Sequence, residues 1–392
     1  MKPKYLLPVV VFAQFSGTSL WFALNAVLKD LHKLYPDTSN FLSSMTSSVQ
    51  LGFVIGTAIY AVLTISDRFS PVKVFVYSTL LAAFFNLLIV WIPVSFKELL
   101  IIRFAVGFFL AGIYPVGMKI MADWYDKGLG RALGYLVGSL VLGTSFPHFI
   151  AFFSLSIHWQ SVIIATSIIA SSGALLMFLF IKDGPFRKKA GRFNPKSIIA
   201  SFKNSSFKTY SFGYFGHMFE VYTFWAYVPI IIQQYNQHSS YSFNISLWSF
   251  LIIASGLIGC VLTGEFSAKF GSAKLAFGCL SFSLICCLFS VSFSQVSPFV
   301  FITIMLVWGM SVAGDSPQFS ALISQNTNPE YRASSITIVN CIGFAITIIS
   351  LQILQFATKY ITDEYVYLIL AIGPVVGLIS TFKSTFEVRY KV

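Results

Sequence analysis

The sequence predicts an all-α polytopic membrane protein, with 12 transmembrane helices arranged as two pseudo-symmetric six-helix bundles. Three observations lead there. Charged residues are 10% of the 392 residues and hydrophobic residues 56%, with a mean hydropathy of +0.78, whereas a soluble domain carries ~25% charge. So few polar side chains cannot cover a water-facing surface, and the excess apolar surface faces lipid. Second, polar and Gly/Pro punctuation cuts the apolar mass into segments close to the ~20 residues that span a bilayer as helix. Third, the chain repeats itself. Lipid cannot satisfy free backbone groups, and no strand-period alternation suggests a barrel, so the segments are helices.

In chain order, the first span is expected over 5–27. Its start, Lys2-Pro3-Lys4 and then the apolar run from Tyr5, mimics a secretory signal. No small-residue cleavage site follows and the run continues to Val27, so it reads as a retained span. Five more are expected over 42–66, 74–94, 99–122, 130–153 and 159–181. The one long connection is Lys182 to Lys208, containing Gly184-Pro185, Arg187-Lys188-Lys189 and Arg192. It falls near the midpoint and reads as a solvated basic linker near anionic headgroups, with a regulatory role as the alternative. Its Ser197–Phe202 stretch is apolar enough to lie along the membrane surface. The last six spans are expected over 209–233, 243–264, 275–294, 298–323, 333–356 and 364–386. The domains are therefore 1–181, a linker at 182–208, and 209–392.

Twelve spans put both termini on one face. That face receives 21 of the 26 Lys and Arg residues and the other only 5, so the positive-inside rule places both termini in the cytoplasm of a cell inner membrane. The net charge of +12 is thus an orientation signal, and no nucleic-acid partner is expected. The five cysteines all sit in apolar runs and behave as small hydrophobes rather than a disulfide framework or a metal site. His32 and Asp37 match an acyltransferase spacing but lie in a short loop without an accompanying motif. No nucleotide, dinucleotide or metal motif is present, so neither enzyme activity nor a cofactor is expected.

The repeat lies in two places. Asp67-Arg68-Phe69-Ser70-Pro71-Val72-Lys73, after the second span, corresponds to Ala268-Lys269-Phe270-Gly271-Ser272-Ala273-Lys274, after the eighth, 201 residues on. Ala111-Gly112-Ile113-Tyr114-Pro115 in the fourth span corresponds to Ala313-Gly314-Asp315-Ser316-Pro317 in the tenth, 202 residues on, and Arg131 and Arg332 follow at nearly equal distances. Two matches at one displacement indicate a parallel six-plus-six duplication.

The loop at Asp67 resembles the G-x-x-x-D-R-x-G-R-R/K signature of the major facilitator superfamily of secondary transporters. Leu63 and Ser70 stand where its glycines are expected, while the second copy keeps Gly264 and Gly271. The resemblance implies a cytoplasmic latch through Asp67, Arg68, Lys73 and Arg131. The segment Gly112–Tyr125, with Pro115, Lys119, Asp123 and Trp124, followed by Arg131, is similar to the organic-anion and organophosphate branches of that family.

Ionisable groups within spans cost ~2.5–3.5 kcal/mol each at mid-membrane, so each needs a reason. In the first half these are Asn25, Arg103, Tyr114 and Lys119. Arg103 begins Arg103-Phe-Ala-Val-Gly107, which resembles the family's R-x-x-x-G pattern of proton coupling; snorkelling to the outer face is the alternative. Lys119 either snorkels or presents a cation to substrate. In the second half, His217 and Glu220 share one helix face and are expected to face a cavity or pair, serving proton coupling or substrate contact; a static interhelix hydrogen bond is the alternative. Asp315 is either a further coupling residue at a helix opened by Pro317 or the cap of a kink. Trp21, Tyr222 and Trp225 either line a cavity or pack.

The expectation is a monomeric, proton-coupled secondary transporter working by alternating access on a small, anionic organic solute, with protons and membrane lipid as its other partners. Gly134, Gly138 and Gly143 line the fifth span, but the antiporter Gly-Pro and Gly-Gly pairs are missing there, which favours uptake. Proton-driven efflux of amphiphiles is the alternative. A non-transporting scaffold or membrane enzyme is a distant one.

Overall fold

The computed structural model describes residues 3–36, 38, 40–91, 95–126, 128–153, 158–187, 201–327 and 332–386. Among these, all regular structure is helical. In chain order the spanning elements are α1 (Leu6–Thr18, resuming as Leu28–Leu34), α2 (Phe41–Val62), α3 (Pro71–Trp91), α4 (Phe96–Leu110 and Tyr114–Trp124), α5 (Leu129–Phe153) and α6 (Gln160–Phe180). They continue with α7 (Ser205–His238), α8 (Ile245–Phe270), α9 (Ser272–Phe289), α10 (Pro298–Gly314 and Ser316–Gln325), α11 (Arg332–Ala357) and α12 (Asp363–Val366 running on to Ile372–Phe386). Among the described residues, ten stretches are long and apolar enough by themselves to cross a membrane. The interrupted α1 and the continuous, more polar α7 complete the twelve. The face at which odd-numbered helices begin is called here the basic face.

Three spans are broken, each for a local reason. The first was expected as one helix over 5–27 but stops at Thr18, and residues 19–24 form successive turns. The run Ser16-Gly17-Thr18-Ser19 explains this: Ser16 donates to the Ala13 carbonyl, Thr18 to Gln14 and Ser19 to Ser16. Side-chain bonds of this kind compete with the helical ladder. In α4 and α10 the breaks fall at the repeated Ala-Gly-x-x-Pro segment. Pro115 and Pro317 have no N–H for the carbonyl four residues back, and their rings crowd it. In α10 neighbouring α8 takes over the freed carbonyls, with Cys260 Sγ donating to Ala313 at 3.2 Å and Thr263 Oγ1 to Gly314 at 2.7 Å. One boundary also moves: α7 begins at Ser205, inside the segment expected to be linker, because Asn204 accepts a bond from the Phe207 N–H and so starts the helix.

The halves share a packing device. A Cβ on Gly107 of α4 would collide with the Val49 carbonyl of α2, and one on Gly309 of α10, 202 residues later, with the Ile252 carbonyl of α8. Only a bare Cα permits backbones this close. Within the first half α1 packs on α5 and α6, and α3 on α4 and α6; within the second, α7 packs on α11 and α12, and α9 on α10 and α12. Two seams join the halves, α5 against α8 and α2 against α11. Large apolar side chains such as Ile168, Phe299 and Ile379 are left exposed around the outside, as lipid-facing positions require.

Candidate functional site

Where the broken helices meet there is an interior cavity of about 30 Å³. Both halves line it: Tyr114 and Val141 from α4 and α5, Tyr214, His217, Tyr222 and Trp225 from α7, Ser316 from α10 and Phe344 from α11. It has room for about two water molecules. Around it the rings lock together. Trp21 lies 5.3 Å from Tyr222 and 5.5 Å from Phe344, Phe53 lies 4.3 Å from Phe344, and Tyr222 lies 5.0 Å from Trp225. Trp21 is thus behind the lining, while Tyr222 and Trp225 form part of it. The indole N–H groups of Trp21 and Trp225 are buried without a partner. The hydroxyls of Tyr114, Tyr214 and Tyr222 bond to no other described residue. Unsatisfied polar groups are rare in native interiors, and their convergence here marks a place for polar atoms of a ligand or for water.

His217 does not pair with Glu220. Its Nδ1 stands 2.8 Å from Oδ1 of Asp315, with both side chains buried. Asp315 is the residue between the two parts of α10, so the Pro317 break puts a carboxylate beside the cavity. Glu220 points away, into the second half. Its Oε1 accepts from Ser283 Oγ at 2.5 Å, Trp308 Nε1 at 2.7 Å and Cys287 Sγ at 3.3 Å, tying α7 to α9 and α10.

Arg103 neither reaches the cavity nor snorkels. Its guanidinium turns inward to the broken stretch of α1, donating to the Leu20 carbonyl at 3.2 Å and to the Trp21 carbonyl, and also to Asn86 Oδ1 at 3.3 Å. Asn86 in turn donates to Ser167 of α6 at 3.0 Å. The arginine therefore supplies the donors that the unwound turn of α1 lacks. Asn25 donates to Thr46 of α2 at 3.0 Å.

Lys119 is held by Asp67, with Nζ 2.5 Å from Oδ1. Asp67 is thus paired within its own half. Arg187 closes the same loop by donating to the Asp67 and Phe69 carbonyls and to Asp183. Arg68 and Lys73 are exposed. The contact across the halves on the basic face is Arg131 with Glu265, Nε to Oε1 at 2.7 Å, with Tyr135 donating to the same oxygen.

The model of the Major Facilitator Superfamily matches residues 6–351. The chain belongs to the Major Facilitator Superfamily. This superfamily member is therefore a multi-pass membrane transporter and not an enzyme. Among solved structures it is similar to the proton:xylose symporter XylE bound to 6-bromo-6-deoxy-D-glucose, with a TM-score of 0.74 and 14% identity over 97% of this chain and 96% of the other. It is also similar to a bacterial homologue of the human lysosomal transporter Spinster, inward-facing and unoccupied, with a TM-score of 0.68 and 13% identity over 98% of each chain. At these identities the likeness establishes the superfamily fold alone. No curated relative matches the sequence.

Several residues that build the superfamily member's site carry no obvious sequence signal. Tyr214 and Phe344 are two among 60 Tyr and Phe residues, and nothing local separates them from lipid-facing rings. Asn86 was open to detection, because an amide in the middle of a span needs a partner just as a charge does.

Proposed function

We propose that this transporter carries a small, uncharged organic solute together with protons, by alternating access between the 1–181 bundle and a second bundle that begins with α7 at Ser205. They are joined by the basic linker that precedes Ser205, and both termini lie in the cytoplasm of an inner-membrane monomer. The observation that carries the reading is the His217–Asp315 pair at the α10 break, on a cavity lined by both halves. With Asp315 ionised and His217 neutral, the pair has one net negative charge. One added proton makes it neutral overall. A net charge in a closing, drying cavity is costly, whereas a neutral pair is tolerated, so proton uptake favours closure and return to the open state favours release.

The anionic solute suggested by the sequence depended on Arg103 and Lys119. Their geometry commits both elsewhere, to α1 carbonyls and to Asp67, and no Lys or Arg is in the cavity lining among the described residues. Tyrosine hydroxyls, indole N–H groups and ring faces suit hydroxylated or other neutral solutes, and the symporter XylE offers a precedent for a sugar ligand in this fold. A second reading has one specific support. A carboxylate among aromatic faces, with no competing cation, also suits a lipophilic cation, the ligand of a proton-driven exporter.

Thermal stability of the purified transporter with three solute classes decides between them, since a ligand stabilises by RT ln(1 + [L]/Kd). Stabilisation by neutral polyols or sugars supports the proposal. Stabilisation by lipophilic cations alone replaces it with efflux, and by organic anions alone overturns both.

A further inference from the structure

The seam between α2 and α11 encloses an amide that the fold leaves unpaired. Two contacts bridge this seam between the cavity and the face opposite the basic one, called here the far face. Gln352 Nε2 of α11 donates to Ser47 Oγ of α2 at 2.9 Å, and the rings of Phe53 and Phe344 stand 4.3 Å apart. The two helices therefore run antiparallel. Gln50 lies three residues from both Ser47 and Phe53 and shares their helix face. It falls between the two bridges, and the same register puts Ile348 of α11 opposite. Gln50 is fully buried, and neither the oxygen nor the nitrogen of its amide has a hydrogen-bond partner.

A primary amide offers two donors and an oxygen with two lone pairs. Burying it unpaired costs the desolvation of those groups, whereas an apolar side chain of the same shape carries no such cost. The cost exists only while the seam is shut, because parting α2 from α11 lets water reach the amide. The α5–α8 seam closes on the far face without it, through the rings of Phe149 and Phe250 at 4.9 Å. An amide in the α2–α11 seam is thus not needed to close this face. It opposes closure.

We propose that Gln50 makes closure of the far face depend on cargo. In the empty carrier a shut seam strands the amide, so the carrier rests open on that face. A hydroxylated solute large enough to displace Phe53 and Phe344 reaches the amide one turn away and pairs with it, and the loaded carrier closes. The inference rests on the proposed alternating access with a neutral solute, and it adds a reason why the empty carrier does not cycle.

The test uses the full-length protein and needs no solute. Gln50→Met keeps nearly the same shape and removes the amide. It should melt at a higher temperature than the wild type. Hydrogen exchange over residues 41–54 of α2 and 344–357 of α11 should slow by about tenfold, the shift that one orphaned polar group produces. In proteoliposomes under an acid-outside gradient, without solute, Gln50→Met should also pass protons faster, because it closes empty. Gln14 gives the control: its amide is buried without a partner too, but it stands against Gly117 of α4 inside the first half. Gln14→Met should leave exchange in the α2–α11 seam unchanged. A lower melting temperature in Gln50→Met, or seam exchange that is unchanged or faster, overturns the proposal. Equal slowing in Gln14→Met overturns it as well. Slower seam exchange with an unchanged proton leak upholds the closure role of Gln50 and overturns the proton-coupled reading instead.

Discussion

The guanidinium of Arg103, a residue of α4, stands 3.2 Å from the carbonyl oxygen of Leu20, in the unwound part of α1. A chain break in the membrane interior exposes carbonyls that lipid cannot satisfy, and each one left unpaired costs ~1–3 kcal/mol. Arg103→Leu removes the donors to Leu20 and Trp21 together, so a loss of ~2–5 kcal/mol is expected in a reversible detergent-denaturation measurement. Arg103→Lys should recover only part, because an ammonium cannot span both carbonyls and Asn86 as a planar fork does. Full stability in Arg103→Leu would show that the break does not depend on the arginine.

The pH dependence of transport separates Asp315 from Glu220. His217 lines the cavity and has Asp315 beside it, while Glu220 is caged by Ser283, Cys287 and Trp308. Asp315→Asn takes away the negative charge that proton uptake would cancel. In proteoliposomes it should exchange solute across the membrane at near-normal rate but lose accumulation driven by an acid-outside gradient. Glu220→Gln keeps an oxygen acceptor for the three donors and should keep gradient-driven accumulation. Glu220→Leu orphans those donors and should lower stability by ~2–4 kcal/mol. Coupled accumulation in Asp315→Asn, or its loss in Glu220→Gln, would move the proton site to Glu220.

The contrast between these two acids also shows what the sequence can convey. Helix number, six-plus-six organisation and the α10 break at Pro317 were legible, because hydropathy and proline act locally, whereas the breaks in α1 and α4 were not expected. The ionisable residues within spans were legible too, since lipid makes each of them costly. Their partners were not. His217 and Glu220 share a helix face by spacing, yet one stands against Asp315 of α10 and the other accepts from α9 and α10. Side-chain direction there is fixed by which neighbour offers a donor. In the same way Arg103 could be placed in the membrane by composition, but the carbonyls it caps are freed where three small polar residues and a glycine at positions 16–19 end the first part of α1, and this was not evident from its apolar run.

Gly107 tests the packing half of the R-x-x-x-G pattern apart from Arg103. A Cβ at Gly107 would collide with the Val49 backbone, which cannot swing aside as a side chain would. Gly107→Ala should therefore cost ~1–3 kcal/mol, and Gly107→Val more, as α4 is pushed off α2. Because Gly309 plays the same part against α8, Gly309→Ala should be destabilising to a similar degree. Glycines in open space give the control: Gly278 has nothing within reach of an added Cβ, so Gly278→Ala should be neutral or slightly stabilising.

Arg131 and Glu265 join α5 to α8 on the basic face at 2.7 Å, with the arginine side chain 67% and the glutamate 40% exposed. An ion pair this open contributes little to stability, so neither Arg131→Ala nor Glu265→Ala should change global stability measurably. Even a small bias still matters to a transporter, since it shifts the balance between two states of similar energy. Arg131→Glu puts two like charges at this seam and should hold the basic face open. Transport should fall several-fold, and a thiol placed in the α5–α8 seam should become more reactive to a water-soluble reagent. The exchanged pair Arg131→Glu with Glu265→Arg should restore both readings. Equal defects in the single and exchanged variants would show that the two residues act separately and that the seam is closed by the α5–α8 packing alone.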